Sequence, residues 1–110
     1  MKNVLLCSSN PLLTKNLYGI LREQGYSVDT VEHPSHAVRY VLFGLCDLLI
    51  IDTEPFGMQA EDAAEVVRAV APELHILILG ETSGQRSDLP ALGTPVDLDK
   101  FTRLIHDFAA

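Results

Sequence analysis

Three short runs of apolar residues constrain this chain more than any other feature of its sequence. Residues 4–7, 48–51 and 75–79 are almost wholly apolar, and each run is too short to read as a core helix. A strand with one exposed face alternates polar and apolar residues, so unbroken apolar runs are typical of strands buried on both faces of a parallel sheet. Residues 26–31 alternate weakly and predict a further strand.

Helical periodicity fills the intervals between these strands. The first helix is predicted to begin after Asn10 and Pro11, a cap-type residue and a proline suited to the first helical position. Asp97 is a good N-cap for the last helix. The apolar positions of the four helices are Leu13, Leu17, Ile20, Leu21; Ala37, Val38, Val41, Leu42, Leu45; Ala63, Val66, Val67, Val70; and Phe101, Leu104, Ile105, Phe108. Strands alternating with helical crossovers predict an α/β fold with a doubly wound parallel sheet.

The alternation of strand and helix fails after the fourth strand. Residues 81–93 have no helical apolar stripe and contain two glycines and a proline, so this segment is predicted to be mostly loop. Residues 89–92 are the candidate for a short edge strand. The helix between strands 4 and 5 is therefore expected to be lost or replaced by a loop.

Length and charge narrow the class of protein. The 110 residues suit one domain, and eight Lys and Arg against fifteen Asp and Glu give a net charge of −7. This charge repels phosphate backbones and anionic lipid, so we expect no direct nucleic-acid binding and no membrane association. No signal peptide or membrane span is evident, which favours a cytoplasmic protein. Cys7 and Cys46 lie in apolar runs and are interpreted as buried small hydrophobes.

In open parallel sheets the chemistry gathers at the carboxyl ends of the strands. In this chain those ends carry Ser8 and Ser9, Asp52, Gly80, and the Thr94-Pro95 pair. With the apolar strands before them, residues 2–13, 46–55, 75–80 and 94–98 together resemble the response-regulator receiver domains. The resemblance implies a flavodoxin-like, five-stranded sheet of order 2-1-3-4-5 and one receiver-like domain over residues 1–110. The chain is also compatible with the N-terminal part of a longer protein.

The resemblance assigns a role to each strand tip. Asp52 stands at the position of the phosphoacceptor aspartate, whereas Ser8 and Ser9 stand where the family has two acidic residues that bind Mg²⁺. Gly80 replaces the Thr or Ser that hydrogen-bonds the phosphoryl group, and Thr94 replaces a lysine. Loss of the acids and the cation compromises the phosphorylation, and loss of the hydroxyl compromises the conformational response that would follow it. Asp52 is therefore interpreted as a carboxylate that accepts hydrogen bonds from Ser8, Ser9 or Thr94.

These substitutions predict an atypical receiver, or pseudo-receiver, that is not an enzyme. It is expected to act without phosphorylation as a protein-interaction or dimerisation module in a two-component or transcription-regulatory pathway. No cofactor is expected, and Mg²⁺ binding should be weak, with Asp52 and Glu54 as its candidate ligands. The expected partner is another protein or an output domain on the same polypeptide, together with a second copy of the chain. Shortening near strands 4 and 5 is expected to uncover apolar surface for such a homodimer.

Two alternatives stay open. The first is a phosphorylatable receiver that uses Asp52 with unconventional Mg²⁺ ligands. The second is a small-molecule-binding domain of flavodoxin-like architecture, with Ser8, Ser9, Asn10 and Thr94 around its pocket. Fold alone assigns no ligand to that pocket.

Overall fold

The computed structural model describes residues 2–44, 46–54, 58–80, 91–93 and 96–109. Within these ranges the chain forms five strands and four helices. They are β1 (Asn3–Cys7), α1 (Pro11–Glu23), β2 (Ser27–Val31), α2 (Pro34–Leu42), β3 (Leu48–Asp52), α3 (Met58–Val70), β4 (His75–Leu79), β5 (Ala91–Leu92) and α4 (Leu98–Ala109).

The strands form one parallel sheet in the order β2-β1-β3-β4-β5, which confirms the predicted fold class and strand order. Strand order reverses between β1 and β3, because the chain moves from β1 outward to β2 and then returns to the other side of β1. In the β1–β3 register Cys7 lies opposite Ile51, so the two strands end side by side. A crevice at the carboxyl end of such a switch point is where α/β proteins place their functional groups.

Both faces of the sheet are buried, which explains the unbroken apolar runs. Alternate side chains along each strand point to opposite faces, and each face has its own cluster. One cluster packs against α1 and α4 and contains Val4, Leu6, Leu48, Ile50, Leu77 and Leu79 with Leu17, Leu21, Phe101 and Ile105. The other packs against α2 and α3 and contains Leu5, Cys7, Leu49, Ile51, Ile76 and Ile78 with Ala37, Val41, Ala60, Ala64 and Val67.

The helix boundaries follow the predicted caps. The Asn10 side-chain oxygen accepts hydrogen bonds from the backbone N–H groups of Leu12 and Leu13, and Pro11 occupies the first turn of α1. Asp97 caps α4 in the same way. The second helix ends at Leu42, three residues before the predicted end, and Gly44 follows it with a φ of +71°. Among the residues that the structure describes, no helix is both long and apolar enough to span a membrane.

The sequence predicts mostly loop between β4 and β5. The described residues contain no helix there, and segment 81–90 lies outside them. The two-residue strand β5 begins at Ala91, whereas Leu89 and Pro90 of the predicted edge strand lie outside the described residues. The prediction that apolar surface is uncovered beside strands 4 and 5 stays a prediction, because residues 81–90 lie outside the described residues. The apolar residues of β4 itself, 76–79, are at most 5% exposed.

Candidate functional site

The candidate site lies at the switch point, where β1 and β3 end. Asp52 is the last residue of β3 and Ser8 directly follows β1; the two residues are only 3% and 4% exposed. The Ser8 hydroxyl donates a 2.9 Å hydrogen bond to Oδ2 of Asp52. The backbone N–H of Glu54 donates to the other carboxylate oxygen, Oδ1, at 3.1 Å. Each Asp52 oxygen therefore accepts a hydrogen bond from the domain itself, and Ser8 is one of the donors expected from the sequence.

Ser8 also connects this carboxylate to the first helix. Its hydroxyl oxygen accepts a 3.1 Å hydrogen bond from the backbone N–H of Asn10, the residue that caps α1. The neighbouring Ser9 is exposed. Of the two serines predicted at acidic-pair positions, Ser8 is part of the buried hydrogen-bond network around Asp52 and Ser9 lies at the surface.

Thr53 is a buried polar residue at the site that sequence reasoning did not single out. Its backbone N–H and its hydroxyl both donate to the carbonyl oxygen of Leu79, at 2.9 Å and 3.0 Å. These bonds join the end of β3 to the end of β4 directly beside Asp52. A threonine that directly follows an all-buried strand is the only signal in the sequence that could have marked it.

Gly80, which follows β4 and which the resemblance aligns with the switch Thr or Ser, has a φ of +105° and donates its N–H to the carbonyl of Leu92 at 2.6 Å. Residues with a side chain rarely adopt such a φ, so the backbone at this position favours glycine. Glycine also lacks the hydroxyl of the Thr or Ser that the resemblance implies here. Thr94, at the lysine position, lies outside the described residues.

Burial raises the pKa of the two cysteine thiols, one of which lies next to the site. Cys7 is fully buried, and burial raises the pKa of its thiol to about 12, with a smaller contribution from the negative charge of Asp52. Cys46 is half-buried, and burial raises its pKa to about 11. Both thiols are therefore protonated at neutral pH, as expected for structural rather than nucleophilic cysteines.

An open cleft of about 530 Å³ lies beside Asp52. Its two carboxylates are Asp52 and the exposed Glu54. Two amides and four apolar side chains complete the lining: Asn10, Asn16, Leu12, Leu13, Val96 and Leu98. Among these lining residues there is no cation to pair with an anionic ligand.

The donors described at the site do not fit a bound Mg²⁺ well. Mg²⁺ requires near-octahedral oxygen ligands, usually including carboxylates with free lone pairs. Here the described site offers one buried carboxylate and the exposed Glu54, because the Ser8 hydroxyl is neutral and donates its proton to Asp52. Within the described ranges, no group of three or more His, Cys, Asp or Glu side chains could hold a metal ion.

The chain is similar to known proteins in structure, whereas searches by sequence find no match. No protein-family model matches the chain, and no curated protein matches it in sequence. The structure is similar to the response regulator TrrA from Thermotoga maritima in complex with Mg²⁺-BeF, with 26% identity, a TM-score of 0.82 and coverage of 97% of this chain and 98% of that one. It is also similar to a chain of the complex between histidine kinase ThkA and TrrA, with 25% identity, a TM-score of 0.82 and full coverage of both chains.

A third similar structure is the chemotaxis response regulator CheY4 of Vibrio cholerae, with 20% identity and a TM-score of 0.82. That likeness covers 97% of this chain and 98% of that one. The strand order, the alternating helices and these likenesses over nearly the whole chain show that it has the fold of the response-regulator receiver domains.

Proposed function

We propose that this receiver domain acts without phosphorylation, as a protein-interaction module in a two-component or transcription-regulatory pathway. The observation that carries the proposal is the closed hydrogen-bond network of Asp52. A phosphoacceptor must present a carboxylate oxygen to phosphorus, whereas this carboxylate is 3% exposed and both its oxygens accept hydrogen bonds from Ser8 and Glu54. In this proposal Asp52 holds the ends of β1 and β3 together.

Electrostatics support the same proposal. Phosphorylation would add negative charge to a buried carboxylate, and such charge requires a cation or several hydrogen-bond donors. The residues at the acidic-pair positions are Ser8 and Ser9, the residue at the lysine position is Thr94, and Gly80 has no hydroxyl to respond. We therefore propose weak Mg²⁺ binding through Asp52 and Glu54 at most, no other cofactor and no enzymatic activity.

A titration with Mg²⁺ and beryllium fluoride tests this proposal, because the similar TrrA structure contains Mg²⁺-BeF. Amide NMR spectra of the wild-type chain should show no saturable change at Ser8, Asp52 or Gly80. A variant with both Ser8→Asp and Ser9→Asp regains the missing carboxylates and should respond, which makes it the positive control. Saturable wild-type changes that Asp52→Asn abolishes would overturn the proposal.

The proposed partners are proteins. A similar structure contains a response regulator with its histidine kinase, ThkA, and another contains the receiver domain of Ssk1 with the phosphotransfer protein Ypd1. For the present chain, which we treat as one receiver-like domain over residues 1–110, we propose a protein partner or an output domain on the same polypeptide, and a homodimer. The net charge of −7 opposes direct binding to nucleic acid or to an anionic membrane and suits a cytoplasmic protein.

A second candidate function is phosphotransfer through Asp52 with unconventional ligands. The cleft favours this candidate, because Asp52 and Glu54 both line a space of about 530 Å³ that could admit a phosphodonor. The apolar wall of the same cleft is the feature that a small-molecule-binding function would use. The beryllium fluoride titration separates the first of these from our proposal, and a thermal-shift screen with nucleotides and metabolites tests the second.

A further inference from the structure

Four of the eight large apolar residues that are exposed within the described ranges lie on α2 and α3 or directly after α2. Leu42 and Phe43, at the end of α2, are 59% and 78% exposed, and Val66 and Val70, in the second half of α3, are 50% and 51% exposed. We call these four residues the α2–α3 corner. The sequence had assigned all but Phe43 to inward helix faces, so their exposure is a property that only the fold reveals.

Helix geometry brings the four side chains together. α2 and α3 pack side by side, and each follows a parallel strand, so both helices run from the carboxyl edge of the sheet to its amino edge. Their C-terminal turns are therefore neighbours. Val66 and Val70 are four residues apart and lie on the same side of α3, while Ala63 and Val67 are buried under them.

The size of the α2–α3 corner is that of an interaction surface. Its exposed fractions correspond to roughly 400 Å² of apolar area, within the range of about 300–600 Å² that the largest patch on a monomer spans. A standard protein interface buries about 800 Å² per partner and is about 65% apolar in its core. The corner is large enough to form the apolar core of one such interface, with the surrounding polar surface as its rim.

We propose that two copies of this chain associate through the α2–α3 corner, an inference that rests on the proposed interaction function. A two-fold contact presents the same patch from both copies, so the patch must be compatible with itself. The four residues of the corner carry no charge, and apolar surface meets apolar surface in any such pairing. A partner selected by charge would instead require charged groups within the corner. The contact differs from the expected one beside β4, whose apolar side chains are buried.

Net charge gives this homodimer a characteristic dependence on salt. Each copy carries −7, so two copies repel each other while the uncharged corner attracts. Raising NaCl from about 0.1 M to about 1 M shortens the Debye length from about 10 Å to about 3 Å and screens the repulsion. The dimer should therefore become tighter as salt is added, whereas a contact built from opposite charges would become weaker.

Sedimentation equilibrium of the full chain at both salt concentrations tests the inference. The wild-type chain should dimerise reversibly, with a lower Kd at the higher salt concentration. Phe43→Asp and Val66→Asp, made separately at exposed positions, should each raise the Kd by roughly tenfold or more. Leu104→Asp is the matched control, because Leu104 is 37% exposed on α4, away from the corner, and this change should leave the Kd unaltered.

Three results would overturn the inference: a chain that stays monomeric at high micromolar concentration in both salts, a dimer that weakens with salt, or a dimer that Leu104→Asp disrupts while Phe43→Asp does not. None of them bears on Asp52. The beryllium fluoride titration tests phosphorylation independence separately, so failure of the dimer face and failure of the proposed function are distinguishable.

Discussion

The Ser8 hydroxyl lies 2.9 Å from Oδ2 of Asp52 and donates a hydrogen bond to it, in a place where both side chains are almost fully buried. The same hydroxyl accepts the N–H of Asn10 at 3.1 Å. One serine thus joins the end of β1, the end of β3 and the start of α1. Ser8, which the resemblance to receiver domains aligns with an acidic residue, is here a hydrogen-bond donor to the buried carboxylate of Asp52.

Removing the Ser8 hydroxyl should destabilise the domain. Ser8→Ala leaves one oxygen of a buried carboxylate without its donor, which costs about 1–3 kcal/mol. Ser9→Ala is the matched control, because Ser9 is exposed and its loss should change the free energy of unfolding by less than about 0.5 kcal/mol. Urea denaturation of both variants measures the difference. Equal effects of the two changes would contradict the structural role of Ser8.

Placing a carboxylate at Ser8 should make stability depend on Mg²⁺. Ser8→Asp puts a second negative charge beside the buried Asp52, so the metal-free variant should melt at a lower temperature than the wild-type chain. Mg²⁺ at millimolar concentration should raise its Tm by several degrees, because a ligand that binds only the folded state stabilises it. Ser8→Asn, of the same shape without the charge, should show no such response. A wild-type Tm that rises equally with Mg²⁺ would contradict our description of the site.

Restoring a hydroxyl at Gly80 should cost stability through the backbone. With a φ of +105°, a residue that carries a Cβ is strained there by about 1–2 kcal/mol. Gly80→Thr and Gly80→Ala should therefore lower the free energy of unfolding by similar amounts, as measured by urea denaturation. If alanine were tolerated and only threonine destabilised the domain, the cause would be side-chain size or polarity instead of the backbone.

The buried Cys7 thiol predicts a loss of stability in alkali. Its pKa is about 12 in the folded chain against an ordinary value of 9.0, so folding favours the protonated thiol. The stabilisation is fully present below pH 9 and is lost as the pH rises toward 12, because the unfolded chain ionises first. The urea midpoint of the wild-type chain should fall between pH 9 and pH 11, and that of Cys7→Ala should fall less. An equal fall in both would exclude a contribution from Cys7.

Much of the fold is predictable from local pattern. Residues 4–7 and 48–51 could be assigned to buried parallel strands because both of their faces are covered, which leaves an apolar run in the sequence. The cap of α1 was predictable because Asn10 and Pro11 act on the adjacent turn. The bond from Ser8 to Asp52 followed from the parallel sheet, since neighbouring parallel strands bring their carboxyl ends to one edge.

The properties that were missed depend on three-dimensional context. The positive φ of Gly80 and the two hydrogen bonds from Thr53 to Leu79 are tertiary features at the ends of β3 and β4, which no periodicity encodes. Apolar spacing placed Leu42 and Val66 inward, yet an apolar stripe can be wider than the face that packs against the sheet. Exposed apolar surface was expected beside strands 4 and 5, where residues 81–90 lie outside the described ones, and the exposed residues of α2 and α3 were not anticipated.

The central claim is that Asp52 serves the structure of this receiver domain and is not phosphorylated. Incubation of the chain with acetyl phosphate and Mg²⁺, followed by intact-mass measurement, tests this claim most directly. Our account predicts that the mass of the wild-type chain is unchanged while a working receiver in the same mixture gains one phosphoryl group. A gain of one phosphoryl group by the wild-type chain that Asp52→Asn abolishes would contradict it.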